Sequence, residues 1–282
     1  MIETHGPDDP RTPLVLDSPH SGRSFPEDFR SILCRAELRG GAEDCFVDEL
    51  MLPATDLGAW LLAARFPRSY CDANRHAGDI DLALIEGGAW PDEYRPSGLA
   101  AIGKSVVWRT LDDGRAIYDR MLSVDELRSR LAQCHVPYHA ALARRIEATQ
   151  ARFGVCVHLN CHSMNAVGGL HTAGALGRPR PDFVVGDLDG SSAAPQLTRL
   201  VLETLAGLGY HVTLNDPFKG HELTRAYSCP AQGRHSLQLE VNKGLYMDEA
   251  TLQKTAGFAP LQADLMKLVS AVQGFAQAQA RC

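Results

Sequence analysis

The sequence predicts an α/β protein with a mixed, mostly parallel sheet and helices on both faces of that sheet. Apolar runs at 14–16, 59–64 and 155–160 have the length of buried strands and are too short for helices. Between them, apolar residues recur at three- and four-residue spacing, as in amphipathic helices. Strands that alternate with helices are typical of α/β folds. Because no internal repeat or linker-like tract interrupts residues 1–282, we expect a single domain.

The first half of the chain alternates strands and helices. A strand at 14–16 is followed by helical stripes at about 26–41 and 43–53, each with acidic residues near its start. The strand at 59–64 leads into a long polar passage at 65–90. Loops of this length are uncommon inside a compact domain and often carry function.

The second half begins with a helix at Ser123 and Glu126, which have the spacing of a capping box. Pro137 is expected to break or kink that helix. The remaining elements are predicted from the same patterns: strands at 182–187, 210–214 and 236–241, a helix at 194–208, and a last helix from about 248 almost to the C terminus.

Composition and charge exclude several classes of partner. The chain has 28 Lys and Arg against 34 Asp and Glu, a net charge of −6, and no polybasic block, so we expect no nucleic acid partner. No uncharged apolar run reaches the roughly 18 residues of a membrane span, and the acidic N terminus lacks the features of a signal peptide. The eight cysteines contain no Cys-x-x-Cys pair, which is typical of reduced core residues. We therefore expect a cytoplasmic protein without membrane contact.

Two histidines stand at the ends of predicted strands. His20 follows the strand at 14–16, and His162 follows the strand at 155–160. In open α/β sheets the carboxyl ends of the strands form the edge where ligands bind, so both imidazoles are expected at one site. A single loop histidine is usually a hydrogen-bonding residue, but a pair at one edge favours a metal site.

A carboxylate from the first turn of the second helix is the expected third ligand, either Asp44 or Glu43. Two imidazoles and one carboxylate suit zinc and leave a fourth position open for water, which is the arrangement of a hydrolytic site. In the alternative interpretation, these two acidic residues only complement a helix N terminus.

Three further residue types could carry chemistry. Glu240, on a predicted strand, is the candidate general base, and its alternative is a surface residue on a half-exposed strand. Arg75 and Arg225 are candidate anion clamps because a guanidinium can hold a carboxylate with two parallel hydrogen bonds. Asn74 could share the carboxylate held by Arg75. Loop arginines more commonly face solvent.

With these residues the chain resembles the N-formylglutamate amidohydrolase family, which is similar in turn to the zinc carboxypeptidases and aspartoacylases. The motifs that carry the resemblance run in order over most of the chain: Ser-Pro-His-Ser-Gly (18–22), Asp44 with Val-Asp-Glu-Leu (47–50), Asp-Ala-Asn-Arg (72–75), Asn-Cys-His-Ser-Met (160–164), Val-Gly-Asp (185–187), Thr-Arg (224–225), Leu-Gln-Leu-Glu-Val-Asn (237–242) and Leu-Tyr-Met-Asp (245–248).

The resemblance implies a phosphorylase/hydrolase-like, zinc-peptidase-like α/β fold and one zinc ion. It also implies hydrolysis of N-formyl-L-glutamate to formate and L-glutamate in histidine breakdown. By analogy with the carboxypeptidases, His20 and His162 would be ligands, Asn74 and Arg75 would hold the substrate carboxylate, and Glu240 would activate water.

Two departures from the related patterns leave questions open. The His-x-x-Glu of the carboxypeptidases is absent, since Arg23 stands three residues after His20, and this leaves the third ligand undecided. Lys-Gly-His-Glu (219–222) stands where a Gly-Gly-like loop is expected, which leaves the choice of substrate open. His221 in that segment is expected to face solvent, and a polar contact with substrate is the alternative.

Three other functions are compatible with the sequence. The nearest is the same metal chemistry on a different N-acyl amino acid. A metal-free hydrolase could use Ser21, Ser163 or Cys161, but no Gly-x-Ser-x-Gly motif is present. The third is a non-catalytic protein that binds an amino acid in the same cleft.

Overall fold

A seven-stranded sheet forms the centre of the protein, for which a computed structural model describes residues 1–169 and 176–280. The strand order is β1-β3-β2-β4-β7-β5-β6. Strands β2, β3, β4 and β7 are parallel, whereas β1, β5 and β6 run in the opposite direction. The strands are β1 (Ile2–His5), β2 (Leu14–Ser18), β3 (Trp60–Ala64), β4 (Cys156–Met164), β5 (Phe183–Gly186), β6 (Val212–Leu214) and β7 (Arg234–Asn242), and a separate two-stranded ribbon contains β8 (Met247–Asp248) and β9 (Gln253–Lys254).

Helices cover both faces of this sheet, so the predicted fold class is confirmed. They are α1 (Arg35–Ala42), α2 (Val47–Met51), α3 (Val124–Arg130), α4 (Val136–Phe153), α5 (Pro195–Gly207), α6 (Glu222–Tyr227) and α7 (Phe258–Gln279). Helices α2, α5 and α7 pack on one face, and α4 and α6 pack on the other. No helix in the described ranges combines the length and the apolar character that crossing a bilayer requires.

The two faces of the sheet differ in polarity because alternate residues of a strand point in opposite directions. Leu14 and Leu16 of β2 pack in the core with α2, α5 and α7, whereas Val15 packs on the opposite face. That opposite face carries a set of buried polar side chains from three neighbouring strands: Asp17, His158, Asn160, His162, Gln238 and Glu240.

Two strands are longer than the apolar pattern predicted. Strand β4 extends to Met164, so His162 lies within the strand and not after it. Strand β7 is buried almost throughout, which excludes the alternative that Glu240 lies on a half-exposed strand. The apolar pattern underestimated the length of β4 because the strand contains buried polar residues. In this sheet such residues form hydrogen bonds to one another, so they can be buried.

Several predicted helix boundaries were wrong. The stripe at 26–41 contains a short 3-10 turn and then α1 from Arg35. The second helix begins at Val47, because Phe46 has a left-handed φ of 64° that a helix cannot include. The last helix begins at Phe258, because the segment before it forms the β8–β9 ribbon.

Pro137 does not end the helix in which it lies. Helices α3 and α4 are joined by a π-helical turn at Leu131–His135, directly before the proline. A proline lacks the amide hydrogen and its ring clashes with the carbonyl four residues earlier, so a wider turn at this place lets the helical path continue. His135 lies in this turn, and its Nε2 is 2.9 Å from the carbonyl oxygen of Arg75.

Candidate metal centre and active site

His20, Asp44 and His162 converge in the interior of the protein. His20 follows β2, Asp44 lies in the link between α1 and α2, and His162 lies on β4. Atom Nδ1 of His20 is 3.2 Å from Oδ2 of Asp44, and Nδ1 of His162 is 3.0 Å from the same oxygen. One ligand atom from each residue lies within 4.8 Å of the other two, and all three residues are buried. This donor set fits a zinc ion.

The geometry separates the two carboxylates that the sequence left as candidates for the third ligand. Glu43 lies beside Asp44 in the chain, but its carboxylate accepts a hydrogen bond from Nε of Arg39 at 2.6 Å. Oδ2 of Asp44 lies within 3.2 Å of Nδ1 of both imidazoles. Burial raises the pKa of Asp44, but its contacts with His162 and His20 and the charge of Arg68 outweigh the effect of burial and hold the pKa well below its usual range.

The distal nitrogens of both imidazoles have oxygen partners. Nε2 of His20 is 2.7 Å from Oδ1 of Asp72, and Nε2 of His162 is 2.7 Å from Oδ1 of Asn160. The amide of Asn160 donates to Asp17 at 2.7 Å, and this fixes its oxygen toward His162. Because the Asp72 carboxylate only accepts, the proton of His20 is held at Nε2 and the Nδ1 lone pair faces the Asp44 side. Nε2 of His162 lies between the oxygen of Asn160 and the amide nitrogen of Asn74, at 2.7 and 3.1 Å.

Glu240 lies beside this trio on the adjacent strand. In the pairing of β4 with β7, His162 is the direct neighbour of Glu240. Nε2 of Gln238 donates to Oε1 of Glu240 at 2.9 Å. Burial raises the pKa of Glu240, and the nearby Asp44 raises it further against the opposing charge of His162. A carboxylate with a raised pKa is suited to accept a proton and to return it.

The other three predicted site residues line a pocket next to the trio, and two of them also line the cavity that contains it. Asn74 accepts from the amide of Leu223 at 2.9 Å and directs Nδ2 toward His162 at 3.1 Å. Arg75 is buried, with its NH1 3.7 Å from Oδ2 of Asp72. Arg225 is half-exposed and pairs with Glu222 at 2.7 Å. It does not line the cavity around the trio, but it lines an adjacent pocket together with Asn74 and Arg75.

An open cavity of about 220 Å³ lies against the trio and Glu240. Its described lining includes five cationic side chains and three carboxylates: Arg68, Arg75, Lys104, Arg180 and Lys243, with Asp44, Asp112 and Glu240. The cavity is thus locally positive in a chain whose net charge is −6. A local excess of positive charge attracts an anionic ligand. His221 is exposed, as expected, but it also lines the mouth of this cavity.

A sequence profile of N-formylglutamate amidohydrolase matches residues 12–247. The chain belongs to the N-formylglutamate amidohydrolase family. It is 32% identical over 266 residues to N-formylglutamate deformylase of Pseudomonas aeruginosa, with 93% of this chain and 90% of that protein covered. It is 29% identical over 242 residues to N-formylglutamate deformylase of Pseudomonas putida, with 85% and 83% covered. The crystal structure of N-formylglutamate amidohydrolase from Ralstonia eutropha JMP134 matches with a TM-score of 0.88 at 40% identity, over 98% of this chain and 97% of that chain.

Of the three possible nucleophiles of a metal-free hydrolase, Ser163 lines the cavity, whereas Cys161 and Ser21 have other surroundings. Cys161 lies on the apolar face of β4 within the core, and burial raises the pKa of its thiol well above the usual value. The hydroxyl of Ser21 donates to the backbone oxygen of Asp44 at 2.8 Å and lies 2.7 Å from the hydroxyl of Ser18. Both groups are thus occupied by structural roles.

Asp72 is the site residue that sequence reasoning missed. Besides His20, its carboxylate accepts hydrogen bonds from Arg68, Trp108 and the amide of Asn74, at 3.1, 3.1 and 2.9 Å. Burial raises the pKa of Asp72, but the charges of Arg75, His20 and Arg68 lower it well below its usual range. The sequence did contain a signal, because Asp72 is the first residue of the motif Asp-Ala-Asn-Arg. Of that motif, only the Asn and the Arg were predicted to be site residues.

We expect Asp72→Asn to weaken zinc binding by about 10- to 100-fold, because partners of a ligating imidazole contribute at this level. The affinity is measured by competition with a chromogenic chelator. Asp79→Asn is the matched control, since Asp79 is a buried carboxylate of the same loop that accepts from Ser97 and not from a histidine. Equal zinc affinity in Asp72→Asn and wild-type protein would show that Asp72 does not support the metal ligand.

Two stacked histidines hold the loop that carries Asn74. His135 and His139 have ring centroids 4.1 Å apart. Nε2 of His135 lies 2.9 Å from the carbonyl oxygen of Arg75, and Nε2 of His139 lies 2.8 Å from that of Ala73. A carbonyl only accepts, so both Nε2 atoms donate. Burial lowers the pKa of both imidazoles, and for His139 burial together with the neighbouring His135 lowers the pKa to about 3.

The lowered pKa of His139 makes stability depend on pH. Below pH 6.5 the unfolded chain binds a proton at this histidine that the folded protein does not, so stability falls as pH decreases toward 3. From pH 6.5 to 5, the free energy of unfolding of the wild type should fall by about 2 kcal/mol more than that of His139→Gln. Urea unfolding at both pH values measures this difference. His211→Gln, which changes an exposed histidine, is the control and should keep the wild-type pH dependence of stability. An unchanged pH dependence in His139→Gln would refute the assignment of this effect to His139.

Proposed function

We propose that this protein is a zinc-dependent amidohydrolase that converts N-formyl-L-glutamate and water to formate and L-glutamate. The observation that carries the proposal is the convergence of His20, Asp44 and His162 beside Glu240 in a positively charged cavity. The substrate is supported by the family and by relatives named N-formylglutamate deformylase.

In this proposal the two imidazoles and Asp44 hold the metal. Bound zinc would act as a Lewis acid toward the amide carbonyl and would lower the pKa of a coordinated water toward neutrality. The chain's own contribution is the orientation of the ligands. Asp72 and Asn160 fix the distal nitrogens, so both Nδ1 atoms face the position of the ion without rearrangement.

Glu240 carries the proton transfers. Its carboxylate accepts a proton from the attacking water as the carbon–oxygen bond forms, and then delivers that proton to the amide nitrogen as the carbon–nitrogen bond breaks. The products are formate and the free amine of glutamate. The hydrogen bond from Gln238 restricts the Glu240 side chain to the neighbourhood of His162, which keeps the base near the reacting carbonyl.

Asn74 and Arg75 are the residues that we propose for recognition of the α-carboxylate. Both line the cavity, and the paired histidines of the π turn and α4 hold the backbone on either side of Asn74. Binding of this group near the metal ligands positions the adjacent amide for attack. Arg225, which the sequence had suggested for the second carboxylate, is replaced in this role by a cation of the cavity wall.

We further propose that the protein acts in the cytoplasm, in histidine breakdown, as a single domain. The resemblance to the family supports the pathway. The seven described cysteines are all unpaired and five of them are buried, which supports a reducing compartment.

The experiment that tests the proposal measures release of L-glutamate from the N-formyl, N-acetyl and N-succinyl derivatives as separate substrates, with formate release as a second readout for the formyl compound. We expect hydrolysis of the formyl substrate to be the fastest. Faster turnover of another acyl derivative would show that the substrate is a different N-acyl amino acid. Binding without turnover would show that the protein is a non-catalytic binding protein.

A further inference from the structure

Lys104 is a buried cation of the cavity that the proposed reaction does not use. Its side chain is 4% exposed, and its ammonium lies 3.7 Å from the centre of the Trp108 ring. Burial lowers the pKa of Lys104 to about 8, because the charged form loses its hydration. An ammonium in such a place needs an anionic partner to offset this loss.

The anion that Lys104 contacts is Asp112. Nζ of Lys104 is 2.9 Å from Oδ1 of Asp112, which lines the same cavity but is 56% exposed. The other charged neighbours, Arg68 and Arg75, have the same sign as Lys104 and repel it. Because Asp112 is largely exposed, its carboxylate can return to solvent with little loss of hydration when another carboxylate takes its place beside Lys104.

Three of the five cations of the cavity wall differ in the carboxylates with which they pair. NH1 of Arg68 lies 3.5 Å from Oδ1 of Asp44. Arg75 reaches Asp72, which holds His20. Lys104 differs from both, since its ion pair among the described residues is with Asp112, outside the trio and Asp72. In N-formylglutamate the α-carboxylate lies close to the scissile amide and the side-chain carboxylate lies farther away, so a cation that is not paired with the carboxylates of the metal centre suits the side-chain group.

We propose that Lys104 determines specificity by binding the side-chain carboxylate of the substrate, and that Asp112 occupies this position until the substrate displaces it. The inference rests on the proposed function and deepens it, because it explains a preference for acidic N-formyl amino acids. The exchange breaks no covalent bond. Asp112 moves into solvent, which its exposure allows, and a neutral side chain lacks the charge needed to displace it.

The test compares kcat/KM for N-formylglutamate and N-formylglutamine, which differ only in the side-chain carboxylate. In Lys104→Gln the preference for N-formylglutamate should fall by about 10- to 100-fold, as expected for loss of a charge-assisted hydrogen bond, and mainly through KM. Lys267→Gln is the matched control. It removes a lysine whose ion pair with Asp264, at 2.8 Å, lies on α7 outside the cavity, and it should keep the wild-type preference.

Asp112→Asn tests the second half of the proposal on a residue that is half-exposed and therefore tolerant of change. We expect KM for N-formylglutamate to fall by about 3- to 10-fold, the scale of an exposed ion pair, with little change for N-formylglutamine. Asp189→Asn is its control, because Asp189 pairs with Lys219 at the same 2.9 Å on the surface.

The outcomes separate this inference from the proposed function. Wild-type protein without activity on N-formylglutamate would overturn the function itself. Active wild-type protein with an unchanged preference in Lys104→Gln, or with equal losses on both substrates, would overturn only the role of Lys104. If Lys104→Gln does not fold, an unchanged KM for N-formylglutamate in Asp112→Asn overturns the exchange. Loss of the preference in Arg180→Gln alone would place the carboxylate at Arg180 instead.

Discussion

Replacement of Glu240 by Gln is expected to lower kcat for N-formylglutamate by about 100- to 10,000-fold, the usual contribution of a general base. The amide keeps the size of the side chain but cannot take a proton from water. Because Glu240 is not one of the three converging ligands, bound zinc should remain at the wild-type level. Formate release measures the rate, and elemental analysis of the purified variant measures the metal.

The control for this substitution is Glu203→Gln, which removes the charge of an exposed glutamate on α5 and should leave kcat unchanged. Full turnover by a zinc-loaded Glu240→Gln protein would remove Glu240 from the chemistry. A variant that lost both zinc and activity would instead indicate that Glu240 is a metal ligand, which is compatible with its position beside His162.

Removal of the metal is the second change with a large expected effect. Dialysis against a chelator should abolish hydrolysis, and zinc should restore it, because the trio without its ion has no means to polarise the amide. Binding should also stabilise the fold, by about 4 kcal/mol when free zinc is 1,000 times its dissociation constant. Thermal unfolding with and without zinc measures this effect independently of activity.

His162→Gln provides the matched variant for the metal experiment, and His211→Gln the control. His162→Gln should lose most of the zinc-dependent stabilisation, whereas His211→Gln, with an exposed side chain, should respond like wild type. Full activity of the chelated, metal-free protein would exclude a metal-dependent mechanism and would return attention to a serine or cysteine nucleophile.

The local pattern of the sequence predicted the strands better than the helix boundaries. Strands β2 and β3 lie within two residues of their predicted positions, because continuous apolar runs report burial on both faces. The start of α2 could not be predicted, since it depends on the left-handed backbone at Phe46, a residue type that rarely adopts it. That single residue keeps Asp44 outside the helix and lets it face the histidines.

The residue types of the candidate site could also be found from the sequence, but their partners could not. Asp72 stands in a motif whose Asn and Arg attracted attention, yet its bond to His20 joins positions 52 residues apart. Arg225 has the chemistry of an anion clamp, but its guanidinium donates to the carboxylate of Glu222, three residues away in α6, at the protein surface.

The sequence alone determined the α/β class, the pair His20 and His162 and the carboxylate on β7, because hydrophobic period and residue chemistry are local properties. Only the tertiary structure decided which groups meet. The order of the sheet places β4 between β2 and β7, and no local pattern encodes that order. Once the strand order is set, strand pairing puts His162 next to Glu240. The long loop at 65–122 then supplies several of the charged side chains that line the cavity.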